Sequence, residues 1–154
     1  MNKKYLVVFI LVSCVTFGTF AQQTEKLTFV DRRSDGTIIG PVTVNAIFIS
    51  WNMQKVSIEN NLQVIRESVY NNNTWSDWQI VGREPARVSS IRQLYDIILG
   101  EYNRYPRSAT RLNMQNGIQA VRLMSIPTGR SSPMWWNDDG RSFNVMYEFW
   151  AIIP

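Results

Sequence analysis

The run of residues 42–51 (VTVNAIFISW) constrains this chain more than any other stretch. β-branched and aromatic side chains suit a pleated backbone. On an alternating strand, Val44, Ala46 and Phe48 share one face, and Ile47, Ile49 and Trp51 share the other. A strand that is apolar on both faces must lie centrally in a sheet and be covered on both sides. The chain has 154 residues, 45% hydrophobic and 18% charged, which is enough for one domain with a packed core and too apolar for a disordered chain.

The flanking sequence supplies further strands. Residues 26–30 (KLTFV) alternate. Residues 31–36 contain Asp35-Gly36, a hairpin signal, and residues 37–40 resume the strand. Pro41 has no N–H to give, so a break or kink is expected there. Residues 57–70 support two readings. Ile58, Leu62, Ile65 and Val69 fall at helical spacing behind a capping Ser57. Asparagine-rich turns at 59–61 and 71–73 bracket 62–70 at hairpin distance and favour a strand. Residues 75–81 then form its antiparallel partner, and 82–87 a loop. The clearest helix spans about 89–103. Ser89 or Ser90 caps it, Ile91, Leu94, Ile97 and Ile98 form its apolar stripe, Tyr95 and Tyr102 flank the stripe, and Pro106 ends it. Residues 107–115 read as a polar connection, 117–126 as a strand, 128–141 as a long loop and 143–153 as a closing strand. This order predicts an α+β domain, a mainly antiparallel sheet with one helix on one face; an all-β sandwich or small barrel is the alternative. The helix and the mixed polarity of the strand faces argue against an outer-membrane barrel.

The N-terminus has the layout of a secretory signal peptide. Met1-Asn2-Lys3-Lys4 is the positive region, residues 5–12 are apolar, and Thr19-Phe20-Ala21 places cleavage after Ala21. The apolar part is too short to span a bilayer comfortably, and no span of transmembrane length follows it. Residues 22–154 are then a single exported domain of the cell envelope, periplasm or surface. Leu11-Val12-Ser13-Cys14 also resembles a bacterial lipobox, which would anchor the chain by a lipid on Cys14, but residues 15–20 stay apolar where a polar tether is usual. Removing 1–21 takes two lysines and no acid, leaving fourteen basic and twelve acidic residues, a net charge of +2. The arginines are dispersed, with only Arg104, Arg107 and Arg111 close in sequence, so no nucleic-acid partner is expected.

The chain has no histidine, and its single cysteine is Cys14. A zinc finger, a Ser-His-Asp triad, a Cys-His dyad and an intramolecular disulfide are thereby excluded. No glycine-rich phosphate loop is present, and the acidic runs at Asp31/Asp35 and Asn137–Asp139 do not match an EF-hand loop, so neither cofactor nor metal is expected.

Candidate binding residues come from the aromatic segments. Trp135 and Trp136 are adjacent and must face opposite ways if they lie on a strand, which leaves one available to stack on a sugar or a partner surface. Asn137, Asp138, Asp139 and Arg141 stand beside them as polar contacts; the plainer reading is a type I′ turn at NDDG. Trp75 and Trp78 form a second aromatic site, on opposite faces of a strand by their spacing, with a platform shared with Trp135 or Trp136 as a further option. The leading function is a non-catalytic exported domain that binds an envelope or surface protein. A glycan-binding module using the tryptophans is the alternative. A glycan hydrolase is the third, using Glu148 within the last strand if that carboxylate lies buried beside an arginine. Intact mass of the protein exported by a bacterial host is expected to place its first residue at Gln22; a first residue at a lipid-modified Cys14 would establish the lipobox instead.

Overall fold

A computed structural model describes residues 24–33, 35–113 and 117–154. The expected signal segment 1–21, its cleavage point, Cys14 and Ser34 lie outside the described residues. The elements in chain order are β1 (Glu25–Arg32), β2 (Ile38–Glu59), β3 (Leu62–Asn71), β4 (Thr74–Trp75), β5 (Gln79–Pro85), α1 (Ile91–Arg104), β6 (Ser108–Asn113), β7 (Gln119–Met124), β8 (Met134–Trp136) and β9 (Ser142–Ile152). No helix among the described residues is long and apolar enough to cross a membrane.

β2 is 22 residues long and organises the sheet. Its first half pairs β1 (Glu25 opposite Ala46, Phe29 opposite Val42), and its second half pairs β3 (Trp51 opposite Tyr70, Glu59 opposite Leu62) along the same edge. Its other edge pairs β9 from Ala46 to Ser57. β9 in turn pairs β7, β7 pairs β6, and β6 returns to β1 in parallel through Val30–Arg32 and Ser108–Thr110. These pairings close a five-stranded ring, β1-β2-β9-β7-β6, from which β3, β4, β5 and β8 extend as an open sheet. The sheet is therefore mixed rather than wholly antiparallel. Residues 108–113, read from sequence as a polar connection, form β6: Ala109 and Arg111 face the ring interior while Thr110 and Leu112 face the other way, so each face mixes polar with apolar residues and no alternation stands out.

Leu27, Phe29, Ala46, Val121, Leu123 and Trp150 fill the ring, with Val42, Val44 and Phe48 packed against them. Phe29, Ala46, Val121 and Leu123 are fully buried, and apolar area withdrawn from water on this scale is the main stabilising term. Asp31 and Arg111 lie on the same interior face, with Arg111 Nε donating to Asp31 Oδ2 at 2.8 Å and its guanidinium 5.4 Å from the Phe29 ring centroid. This ion pair ties β1 to β6 where they run parallel.

Two-residue asparagine turns set the register of the open sheet. Asn60 and Asn61 have φ of 51° and 63°, and Asn72 and Asn73 have φ of 53° and 62°. Two successive left-handed residues make a type I′ turn, whose twist matches paired strands, and asparagine tolerates that conformation better than most residues. Residues 62–71 are thus strand, as the flanking asparagines suggested. Arg66 donates to Glu59 at 2.6 Å across the first hairpin, and this bond with that from Ser57 holds the Glu59 carboxyl down at about 2.

α1 lies on the face opposite the ring interior. Ser90 Oγ accepts from the Gln93 N–H, while Gln93 Oε1 accepts from the Ser89 N–H and hydroxyl, so both serines expected as caps take part. Leu94 is the buried residue of the helix, and Ile91, Tyr95, Ile98 and Leu99 pack with it on Val56, Phe143 and Val145. Ile97, expected in the stripe, is 47% exposed; Tyr95 takes the inner position, because the stripe turns toward the aromatic rings on the sheet.

Pro41 kinks the ladder as expected: β2 runs through it, but its pairing with β1 shifts between Phe29 and Asp31, opposite Gly40 and Pro41. Two further expectations are corrected. β5 continues to Pro85, where a loop was expected from 82, because as an edge strand it tolerates a residue without an N–H. The faces of 42–51 do not alternate throughout. A second register shift between Phe48 and Ser50 sets Phe48 opposite Trp150 and Trp51 opposite Glu148, so Phe48 and Trp51 share a face, their rings 5.2 Å apart.

Gly40 has φ +132°, and a Cβ there would lie 3.0 Å from the Val42 nitrogen and 3.3 Å from the Phe29 carbonyl oxygen. Gly40→Ala is expected to destabilise the protein by about 2 kcal/mol, read as a lower urea midpoint at unchanged slope; a loss under about 0.5 kcal/mol would contradict the close approach.

Candidate functional site

Residues paired across neighbouring strands project to the same face. On β2, the residues after the Phe48–Ser50 shift carry the ring-interior face onward as Trp51, Met53 and Lys55. Tyr70 on β3 and Met146 and Glu148 on β9 are their neighbours, and Trp75 on β4 lies beside Tyr70. The face that is sealed inside the ring at one end therefore opens at the other as a groove of about 440 Å³. Trp51, Tyr70, Trp75 and Met146 line it together with Ile126, Pro127 and Thr128 of the β7–β8 connection. The Tyr70 and Trp75 rings are 5.2 Å apart and tilted by 53°. Trp75 is 38% exposed, a large apolar surface left in water.

Trp78 lies on the same side. Its ring sits 4.9 Å from the Lys55 ammonium, and it is 37% exposed. Trp75 and Trp78 are thus not on opposite faces as their spacing suggested, because residues 76–78 between β4 and β5 are not strand and the two-residue alternation does not apply. Trp135 also faces this side, through Trp135–Asn144 and Asn144–Lys55 pairing, with the Arg130 guanidinium 4.0 Å from its ring. Three of the four tryptophans singled out from sequence therefore share one face, of which Trp75 lines the groove.

Trp136 projects the other way. It stacks on Tyr95 of α1 at 4.7 Å and 25°, with Phe143 edge-on at 5.7 Å, and belongs to the packing between helix and sheet. Asn137–Arg141 form the β8–β9 turn. Asn137 Nδ2 donates to Ser142 Oγ and to Asn144 Oδ1, and Asp139 Oδ1 accepts from the Arg141 N–H, which with the Ser142 hydroxyl holds the Asp139 carboxyl below its usual range. The turn is not type I′: Gly140 is left-handed at φ 66°, but Asp138 and Asp139 are not. Asp138, Asp139 and Arg141 are exposed at its tip. The polar contacts grouped with Trp135 and Trp136 thus shape a hairpin, and the two rings are divided between faces.

Glu148 lies on the groove side of β9. Its Oε2 accepts from Ser125 Oγ at 2.8 Å and its Oε1 from Trp150 Nε1 at 2.9 Å, a hydroxyl and an indole rather than the arginine that the hydrolase reading required. Both oxygens are spent on bonds that join β9 to residue 125 and orient the ring-filling Trp150. Among the described residues, no group of three or more acidic, cysteine or histidine side chains is placed to hold a metal.

Trp51, Tyr70, Met146 and residues 126–128 were not singled out from sequence. Trp51 reads there as part of a buried strand, and nothing in FISW marks a bulge. Trp136→Ala is expected to cost about 2 kcal/mol and Trp135→Ala under about 1 kcal/mol by urea denaturation, since only the first removes helix–sheet packing; equal losses would contradict the division between faces. The chain matches no protein-family model, no curated protein and no solved structure.

Proposed function

We propose that this protein is a non-catalytic exported binding domain, and that the aromatic groove seats a glycan. The observation that carries this reading is the open groove itself, with Trp51, Tyr70 and a partly exposed Trp75 along one concave face. Its volume falls in the range of small-ligand sites, roughly 300–1,000 Å³. Aromatic rings present flat apolar faces that match the C–H faces of a pyranose, and stacking leaves the sugar hydroxyls free for water and for the Thr128 hydroxyl. The lining holds no carboxylate, amine, guanidinium, thiol or imidazole, which favours binding over hydrolysis. Export rests on the N-terminal layout, and it places the groove where envelope or extracellular polysaccharide is met.

Tryptophan fluorescence during titration with neutral oligosaccharides tests this. A saturable change is expected with at least one of them, and Trp75→Ala is expected to weaken it about tenfold, the share of one stacked ring. Trp78→Ala, outside the lining, is expected to change it less than about twofold. Unchanged affinity in Trp75→Ala would remove the groove as the seat. A stoichiometric envelope protein bound through Trp75, with no response to any glycan, would replace the glycan by a protein partner.

A further inference from the structure

A second cavity, of about 210 Å³, lies on the other side of the sheet, between α1 and the ring. Arg32 of β1, Thr110 of β6, and Arg122 and Tyr147 of β7 and β9 line its sheet side; Tyr102 and Glu101 line it from the helix. Arg122 is the unusual member. It projects from β7 between the inward Val121 and Leu123, so it belongs to the outward face. Its guanidinium lies 4.6 Å from the Tyr147 ring centroid, and its Nε is shut off from solvent with no hydrogen-bond acceptor. Among the described residues no acceptor lies within hydrogen-bond reach of that Nε. Leaving a guanidinium donor buried and unanswered is costly, and proteins rarely do so without an occupant for the space. The Arg32 guanidinium lies 5.7 Å from the Tyr105 ring centroid and lines the same cavity. Two guanidinium groups therefore border one cavity, and one of them has a buried donor with no acceptor.

We propose that this cavity is a binding site for a small organic anion, whose carboxylate or phosphate group is held by Arg122 with Arg32 alongside. A planar guanidinium offers paired N–H donors that fit either group in two-pronged fashion, and the stack on Tyr147 holds its plane fixed. Burial pushes the Tyr147 hydroxyl above its usual range, with the Arg122 charge opposing the shift and the Glu67 carboxylate adding to it, so it remains a protonated donor at neutral pH. Ile98 and Met124 give the cavity an apolar wall for the body of the ligand. Among the lining residues Glu101 is the one carboxylate, and it is exposed on the helix. Its charge opposes an anion from the rim and disfavours ligands carrying a second negative group on that side. This site is separate from the aromatic groove, which opens on the opposite sheet face, and it does not depend on the identity of the groove's ligand.

Side-chain and backbone NMR of the ¹⁵N-labelled exported protein tests the site, with sodium benzoate and sodium phosphate titrated separately at constant ionic strength. Saturable movement of the Arg122 Nε–Hε signal and of the Met124 amide is expected, with a Kd on the order of 1 mM or tighter. Saturation by benzoate alone assigns a carboxylate with an apolar body; saturation by phosphate alone assigns a phosphoryl group. Arg122→Gln is expected to weaken the Met124 response at least about tenfold. Glu101→Gln, on the exposed helix surface, is expected to tighten it about twofold and serves where the arginine variant does not fold. Shifts that stay linear in concentration for both anions, unchanged affinity in Arg122→Gln, or weaker binding in Glu101→Gln would each overturn the proposal.

Discussion

The structure depends on one long strand that changes register partway along. β2 can belong to a closed ring and to an open sheet because 22 residues give it two halves, and because the shift at Phe48–Ser50 lets β9 follow it across the change. A bulge adds a residue on one strand and increases local twist. Here it also preserves the face: Phe48 inside the ring and Trp51 outside it lie on one side, where unbroken alternation would part them. Without that extra residue Trp51, Met53 and Lys55 would turn toward the helix, and Asn52 and Gln54 would take the groove.

From this follows a division of labour between the two sides of the sheet. One side is sealed by ring closure where Leu27, Phe29 and Trp150 meet, and is left open where the ring ends. The other is covered by α1, which packs on Val56, Phe143 and Val145 and draws Trp136 into that layer through Tyr95. The concentration of aromatic residues thus serves two ends. Some rings fill space between layers, and others, Trp75 and Trp78 foremost, remain in water. The polar groups of β9 also divide. Glu148 is consumed in bracing Trp150 and residue 125, whereas Arg122 on the neighbouring strand keeps its Nε donor unspent. A carboxylate with both oxygens occupied by neutral donors is a structural brace; a guanidinium with a buried Nε that meets no acceptor is an invitation to a ligand.

Much of the secondary structure was legible in the residues. The helix, its serine caps and its end before Pro106 follow from local spacing, and the asparagine pairs at 60–61 and 72–73 read correctly as turns because asparagine tolerates left-handed backbone. β6 was hidden because each of its faces mixes polar with apolar residues, and the ring was hidden because the parallel β1–β6 contact joins segments some 78 residues apart, Val30 opposite Ser108. The tryptophans were visible as candidates, but their grouping was not: local alternation misplaced Trp75 against Trp78, since the chain between them leaves the strand.

The sequence by itself determined what chemistry is closed to this protein, since a chain without histidine and with one cysteine cannot assemble the sites that need them. It also determined that a strand apolar on both faces would sit at the centre of a layered domain, because such a strand leaves no face for water. Only the tertiary structure decided which aromatic rings meet, that one strand face runs from the interior into an open groove, and that the Arg122 Nε stands without an acceptor. Those outcomes hang on a register shift and on ring closure, and both are set by contacts between segments far apart in the chain rather than by any residue's local preference.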